Sequence, residues 1–177
     1  MTKKELGIAI YNVSHLTGEF LLRSGKISNE YFDKYQFESK PELLNEIALK
    51  MKDLLPDNFD FIAGLEVGGI PLATAISLNT GIPLIIVRKK SKEHGTRKFA
   101  EGGEIKGKRL VIIEDVVTSG GQVVLSVKDL REAGAVIDTA LCVIDRESGG
   151  KEALAENDIY LKELLTMSEI KSYINNM

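Results

Sequence analysis

The chain has 177 residues, which predicts one domain with a substantial core, and its formal net charge of -3 gives no indication of nucleic acid or an anionic membrane as a partner. Its single cysteine, Cys142, excludes a disulfide framework within the chain and suits a reducing compartment. Because the N-terminus shows no apolar leader and no run reaches membrane-spanning length, we expect a cytoplasmic protein without a membrane partner.

The first predicted elements are a helix and a hairpin. Thr2 and Glu5 have the spacing of a capping box, and the apolar residues after them repeat at helical spacing to about Ser14. Residues 20–28 have the pattern of a strand that enters a Ser-Gly turn, and residues 31–33 have that of the returning strand.

A second helix and an alternating series follow. Ser39 and Glu42 have the spacing of another capping box, for a helix that runs to about Leu55. From residue 61 to residue 144, apolar strands alternate with helices, which predicts an α/β fold with a central parallel sheet and right-handed crossovers. Thr166 is in place to cap a last helix.

The hairpin is expected to cover one edge of this sheet. We predict a single domain over residues 1–177, with a small N-terminal hood formed by residues 16–35 together with the C-terminal strand at 159–164. The hood would lie over the carboxyl ends of the strands, where open parallel sheets bind their ligands.

The most informative stretch is residues 109–122, an apolar strand that ends in two acids, Glu114 and Asp115, before a Thr-Ser-Gly-Gly turn and an amphipathic helix. The first N–H groups of a helix lack partners within the helix and attract anions. Carboxylates accept hydrogen bonds from sugar hydroxyls. An acid pair beside a phosphate-binding turn therefore indicates a sugar phosphate, with a divalent cation nearby if the substrate carries more phosphate.

A basic segment and an arginine follow other strands. Residues 88–98 contain six lysines and arginines and one acid, which indicates a polyanion, although a solvated charged surface remains the alternative. Arg146, at the end of a strand, would bind a carboxylate, or would pair with Asp145 or Glu147 on the surface. The Gly68-Gly69 pair allows either a tight connection or close approach to a ligand.

These motifs carry a resemblance to a known family. Residues 109–122 resemble the motif with which type I phosphoribosyltransferases bind 5-phospho-α-D-ribosyl 1-diphosphate (PRPP). Within that family, the orotate phosphoribosyltransferases carry an Arg-Lys-x-x-Lys-x-His-Gly run that this chain matches at residues 88–95. Lys26, with the aromatic pair at 31–32, resembles their hood, and the run around Arg146 resembles the one that supplies an arginine to orotate.

The resemblance implies a type I phosphoribosyltransferase fold and a glycosyltransferase that moves ribose 5-phosphate from PRPP to orotate, with Mg²⁺ held mainly through PRPP. It implies catalytic roles for Lys92 and His94, and orotate binding by Lys26, Thr118 and Arg146. It implies a homodimer in which the 89–103 loop reaches the neighbouring site. The implied PRPP-binding residues are Arg88, Lys89, Lys92, His94, Glu114, Asp115, Val116, Val117, Thr118, Ser119, Gly120, Gly121 and Gln122.

Two other functions share part of this pattern. A purine-type phosphoribosyltransferase has the same central motif, and a regulator that binds PRPP without turnover needs only the binding residues. Some relatives carry a lysine where this chain has Gly68, so backbone amides are expected to make the diphosphate contact at that turn.

Overall fold

The computed structural model describes residues 1–21, 25, 27–90 and 99–176. Helices in these ranges are α1 Lys3–Ser14, α2 Tyr35–Glu38, α3 Pro41–Lys52, α4 Gly69–Thr80, α5 Gly121–Glu132, α6 Gly150–Ala155 and α7 Met167–Asn175. Strands are β1 His15–Leu21, β2 Ile27–Phe32, β3 Phe61–Leu65, β4 Leu84–Val87, β5 Ala100–Glu101, β6 Arg109–Val117, β7 Val136–Asp145 and β8 Tyr160–Thr166.

Six strands form one sheet in the order β5-β4-β3-β6-β7-β8, and only β5 runs antiparallel to its neighbour. The predicted α/β fold with a central parallel sheet is confirmed. The strands are apolar because both faces of the sheet are covered. One face carries α1, α3, α4 and α7, and the other carries α5 and α6, each with its own buried apolar cluster.

The hairpin β1–β2 forms a separate antiparallel sheet, as predicted. The expectation that the C-terminal strand belongs to the hood is wrong, because β8 pairs in parallel with β7 at the edge of the main sheet. Leu161 and Leu165 explain this position: both side chains are buried there, and the pairing satisfies the backbone groups of the strand.

The helix ends agree with the sequence at two sites and differ at a third. The capping boxes of Thr2 with Glu5 and of Thr166 with Glu169 are both formed. The box predicted at Ser39 is wrong: Lys40 is the N-cap of α3, no side chain caps that end, and the helix ends at Lys52. Ser39 instead ends the short helix α2, where its hydroxyl donates to the Gln36 carbonyl oxygen at 3.2 Å.

Two short elements were not predicted, α2 and β5. Four and two residues are too few to show a helical or strand period. No helix in the described part of the chain combines the length and apolarity needed to span a membrane.

Candidate active site

A cleft of about 720 Å³ lies at the carboxyl edge of the parallel strands. It is bounded by the segments that follow β3, β4 and β6, by the first turn of α5, and by residues at the end of the hairpin. Its lining residues are Leu21, Tyr31, Lys34, Tyr35, Glu66, Val67, Lys89, Glu114, Val116, Val117, Thr118, Ser119, Gly120, Gly121, Gln122 and Val123.

The turn before α5 is suited to a phosphate. Thr118, Ser119, Gly121 and Gln122 are exposed to the cleft, so the unpaired N–H groups at the start of this 12-residue helix face open space. Gly120 has a φ of 74°, in the left-handed region, and a Cβ there would collide with the Leu154 side chain. Glycine therefore gives the chain the angle and the clearance that the turn requires.

The two acids of β6 have different surroundings, because successive strand residues point to opposite faces of the sheet. Glu114 lines the cleft. Asp115 is fully buried and is not part of the cleft wall. In this structure only one of the two predicted ribose-binding carboxyl groups is open to a ligand.

Asp115 belongs to a buried cluster with Lys34 and Glu38. The Lys34 ammonium lies 2.6 Å from Asp115 Oδ2. Burial, and after it the contact with Asp115, together raise the pKa of Glu38 to about 9. Glu38 is therefore protonated at neutral pH and can donate a hydrogen bond to Asp115, which is charged.

The protons of this cluster lower its negative charge. Burial opposes the charge of Asp115, but Glu114, Lys34 and Glu38 outweigh it and lower the pKa of Asp115. Burial and then the Asp115 charge raise the pKa of Glu114 well above its usual value. Glu38 is thus neutral, and the raised pKa of Glu114 favours its protonated form, so the site is expected to repel a phosphate less than the acid pair in the sequence suggests.

The turn after β3 fits closely against this cluster. A Cβ at Gly68 would overlap the Asp115 carboxylate and would lie 2.8 Å from Glu38 Oε1. A side chain at position 68 therefore has no room while Asp115 keeps its place. The Glu66–Val67 peptide bond in this turn is cis.

The described start of the basic segment lies at the cleft, beside the chain that follows the segment. Val87 pairs with Ala100, and the Arg88 N–H donates to the Phe99 carbonyl oxygen at 2.7 Å, so the two ends of the segment lie side by side. The Lys89 N–H donates to Glu66 Oε2 at 2.9 Å, and Lys89 lines the cleft. The Arg88 side chain is half-buried.

Arg146 lines a second, smaller cavity of about 290 Å³ beneath the hairpin. Tyr31 lines both this cavity and the main cleft, so the two spaces adjoin at one aromatic ring. Asp145 Oδ1 accepts the Glu147 N–H, and Glu147 Oε2 accepts the Ser168 N–H. Both carboxylates are thus engaged by the backbone, which favours a ligand rather than a surface ion pair for Arg146.

Some of the predicted site residues lie outside the described ranges, namely Lys26, Lys92 and His94. Lys34 and Glu38 were not among the residues predicted for the site. The available signal was their spacing of four residues directly after the hairpin, which places both side chains on one side of a helical turn. In the part of the chain that is described, no group of three or more His, Cys, Asp or Glu side chains is arranged to hold a metal ion.

Comparison with protein families matches residues 35–171 to the phosphoribosyl transferase domain. Among curated proteins, the orotate phosphoribosyltransferase of a Nocardioides species is 49% identical over 158 residues, which cover 89% of this chain and 88% of that protein.

Solved structures give the same result. An orotate phosphoribosyltransferase of Mycobacterium tuberculosis, in complex with Fe(III) dicitrate, superposes with a TM-score of 0.86 at 27% identity, covering 95% of this chain and 98% of that one. Its complex with PRPP gives a TM-score of 0.81 at 25% identity, covering 96% and 98%. The similarity therefore extends along nearly the whole chain in both sequence and fold.

Proposed function

The chain belongs to the phosphoribosyl transferase domain family and, within it, to the orotate phosphoribosyltransferases, and we propose that its cleft transfers ribose 5-phosphate from PRPP to orotate. The products are orotidine 5′-monophosphate and pyrophosphate, in the de novo synthesis of pyrimidine nucleotides. The expected family, fold class and enzyme class are confirmed by the relatives. These relatives do not favour a purine-type enzyme or a regulator without turnover.

One observation carries this proposal: a phosphate-binding turn, a carboxyl group and an arginine-lined cavity adjoin at one edge of the sheet. PRPP needs the first two and orotate needs the third. The amides and side chains of residues 118–122 would bind the 5-phosphate. Glu114 would bind a ribose hydroxyl, with Asp115 as the second acid.

The chemical step places opposite demands on the two sides of the ribose. Breaking the C1–O bond leaves positive charge on the sugar and negative charge on the departing diphosphate. Preorganised cations stabilise that anion without reorganisation during the step. We assign this role to the basic segment, with Arg88 and Lys89 at its start and Lys92 and His94 further along. Lys92 or His94 would also donate a proton to the leaving diphosphate.

Mg²⁺ fits the donors that are present. This ion favours oxygen ligands and usually keeps several waters while it is bound through one or two carboxylates and substrate phosphates. The described part of the cleft offers carboxyl oxygens from Glu66 and Glu114. We propose that PRPP itself supplies most of the other ligands of the ion. When bound, the ion offsets negative charge on the diphosphate.

The orotate carboxylate is assigned to Arg146, since a guanidinium binds a carboxylate through two parallel hydrogen bonds. Thr118 and Lys26 are the other proposed contacts to the base. Tyr31, which lines both spaces, would pack beside the base where it meets the ribose.

The direct test is pyrophosphate release from PRPP with orotate, adenine, guanine or xanthine as acceptor. Of the four acceptors, only orotate is expected to cause pyrophosphate release, and orotidine 5′-monophosphate should form in the same reaction. Arg146→Gln should raise the KM for orotate by about 10- to 100-fold, the loss of one charge-assisted contact, and leave the affinity for PRPP unchanged. Arg109→Gln, at the opposite edge of the sheet, is the matched control. Release with a purine and not with orotate would contradict the proposal.

We also propose a homodimer in which the 89–103 loop reaches the neighbouring site. Mixing Lys92→Ala with Arg146→Gln, at an orotate concentration far below the KM of the second variant, then restores part of the activity, because mixed dimers contain one site with neither change. A lack of recovery after subunit exchange, checked by native mass spectrometry, would contradict a shared site.

A further inference from the structure

Lys34 contacts a buried carboxylate and also borders the cleft. Its ammonium group lies 2.6 Å from Asp115 Oδ2, and its side chain is 33% exposed and lines the cleft. Asp115, by contrast, is 0% exposed. The lysine is therefore the only member of the Lys34–Glu38–Asp115 cluster, among the described residues, that also forms the cleft wall.

Lys34 is one of several groups that compensate the Asp115 carboxylate. The Val116 N–H donates to Asp115 Oδ1, and protonated Glu38 can donate to the same carboxylate. Lys34 can therefore leave Asp115 without leaving a buried charge that lacks hydrogen bonds.

The neighbouring turn explains why a cation comes from the hairpin side. Gly68 lies against the Asp115 carboxylate with no room for a Cβ, so no side chain at position 68 can project toward the cluster. Of the described residues that line the cleft, Lys34 and Lys89 are cationic and Glu66 and Glu114 are acidic. Lys34 therefore adds a cation from the hairpin side to those of the basic segment.

We propose that Lys34 is a diphosphate-binding residue held by Asp115 until substrate arrives. When PRPP binds, the Lys34 ammonium turns from the carboxylate to a diphosphate oxygen, which opens Asp115 to the cleft so that a ribose hydroxyl can donate to it. This inference rests on the function proposed above and adds a residue from the hairpin side to the diphosphate site.

The exchange leaves no charge alone in the interior. Asp115 keeps the hydrogen bond available from protonated Glu38 and gains one from the sugar, so its carboxylate remains compensated. Lysine suits the movement because its ammonium is a compact charge with three donors on a flexible stem. The cation thus changes partners by rotation of its own side chain.

Three ligands separate this role from a structural one. PRPP contains both ribose hydroxyls and a diphosphate, pyrophosphate contains only the latter, and orotidine 5′-monophosphate contains hydroxyls without a diphosphate. In calorimetric titrations, Lys34→Met should weaken PRPP and pyrophosphate by about 10- to 100-fold and orotidine 5′-monophosphate by less than about 3-fold. Lys34→Arg should recover most of the lost affinity.

The control is Lys108→Met, which removes another lysine paired with an aspartate, Asp60, at the opposite edge of the sheet. It should leave all three affinities unchanged. If Lys34→Met does not fold, Lys34→Gln takes its place, since its amide can still donate to Asp115 without a charge.

Two outcomes would overturn the inference. A parallel loss of PRPP and orotidine 5′-monophosphate, with pyrophosphate unaffected, would show that Lys34 only supports Asp115. Unchanged binding of all three ligands would show that Lys34 has no part in the site. Failure of the wild-type protein to bind PRPP or to release pyrophosphate would contradict the proposed function itself, and is distinct from both.

Discussion

The two walls of the cleft are built in different ways. One wall is the turn at residues 118–121, continuous in sequence and formed by its own backbone. The other wall includes Lys34 and is supported from behind by Glu38, Asp115 and Gly68, so that it depends on a hairpin end, a short helix, a strand and a second turn. A local wall depends on backbone angles, whereas an assembled wall depends on the packing of distant segments.

The difference has consequences for chemistry. The turn presents exposed amides whose anion affinity needs no titration. The cluster contains a charged aspartate, a protonated glutamate and a lysine whose ionisation depends on mutual contact and burial. We therefore expect the assembled wall to be the more sensitive to substitution and to pH.

The largest effect is expected when a side chain is added at Gly68, where the assembled wall has no space for one. Gly68→Ala should lower the free energy of unfolding by about 1–3 kcal/mol, the usual cost of overpacking, because the new Cβ overlaps the Asp115 carboxylate. PRPP affinity should fall with it, since Asp115 must move. Urea unfolding and calorimetry measure the two effects. A variant as stable as the wild type would show that Asp115 moves aside freely.

An intermediate effect is expected for pH. The pKa of Glu38 is 4.5 in a free side chain and about 9 in the folded protein. Between these values unfolding releases a proton, so the free energy of unfolding falls as pH rises. Glu38→Gln removes this contribution, and should reduce the stability lost between pH 6 and pH 9 by on the order of 1 kcal/mol.

Thermal unfolding at the two pH values provides the measurement for Glu38→Gln. In Glu38→Gln, the free energy of unfolding should still fall as pH rises, but less steeply than in the wild type. Some dependence remains because the pKa of Glu114 is also raised in the folded protein. Glu42→Gln, an exposed change in the first turn of α3, is the control. Equal slopes in the wild type and Glu38→Gln would contradict the protonated state assigned to Glu38.

The smallest effect is expected in the local wall. Gly121 is not among the glycines with positive φ, and the nearest atom to an added Cβ is Ser119 Oγ at 3.9 Å. Gly121→Ala should therefore be neutral or stabilise the fold by about 0.4–1 kcal/mol. Gly120→Ala, at a φ of 74° and against Leu154, should be destabilising. Comparable losses at both positions would show that the turn also depends on tertiary packing.

The same division explains what could be predicted. The alternation of strands and helices, the capping box at Thr2, the cap at Thr166 and the turn at residues 118–121 are local patterns, and each could be predicted because one segment contains all the residues that form it. The failures concern competition between segments. Ser39 serves α2 instead of α3, and β8 pairs with β7 instead of the hairpin.

The sequence by itself determined the α/β alternation, the Thr-Ser-Gly-Gly turn before α5 and the family to which the chain belongs, because each depends on contiguous residues. Only the tertiary structure decided that Glu114 faces the cleft while Asp115 is buried against Lys34 and Glu38. The physical reason is that burial and ionisation depend on which distant groups surround a side chain, and spacing along the chain does not specify those neighbours.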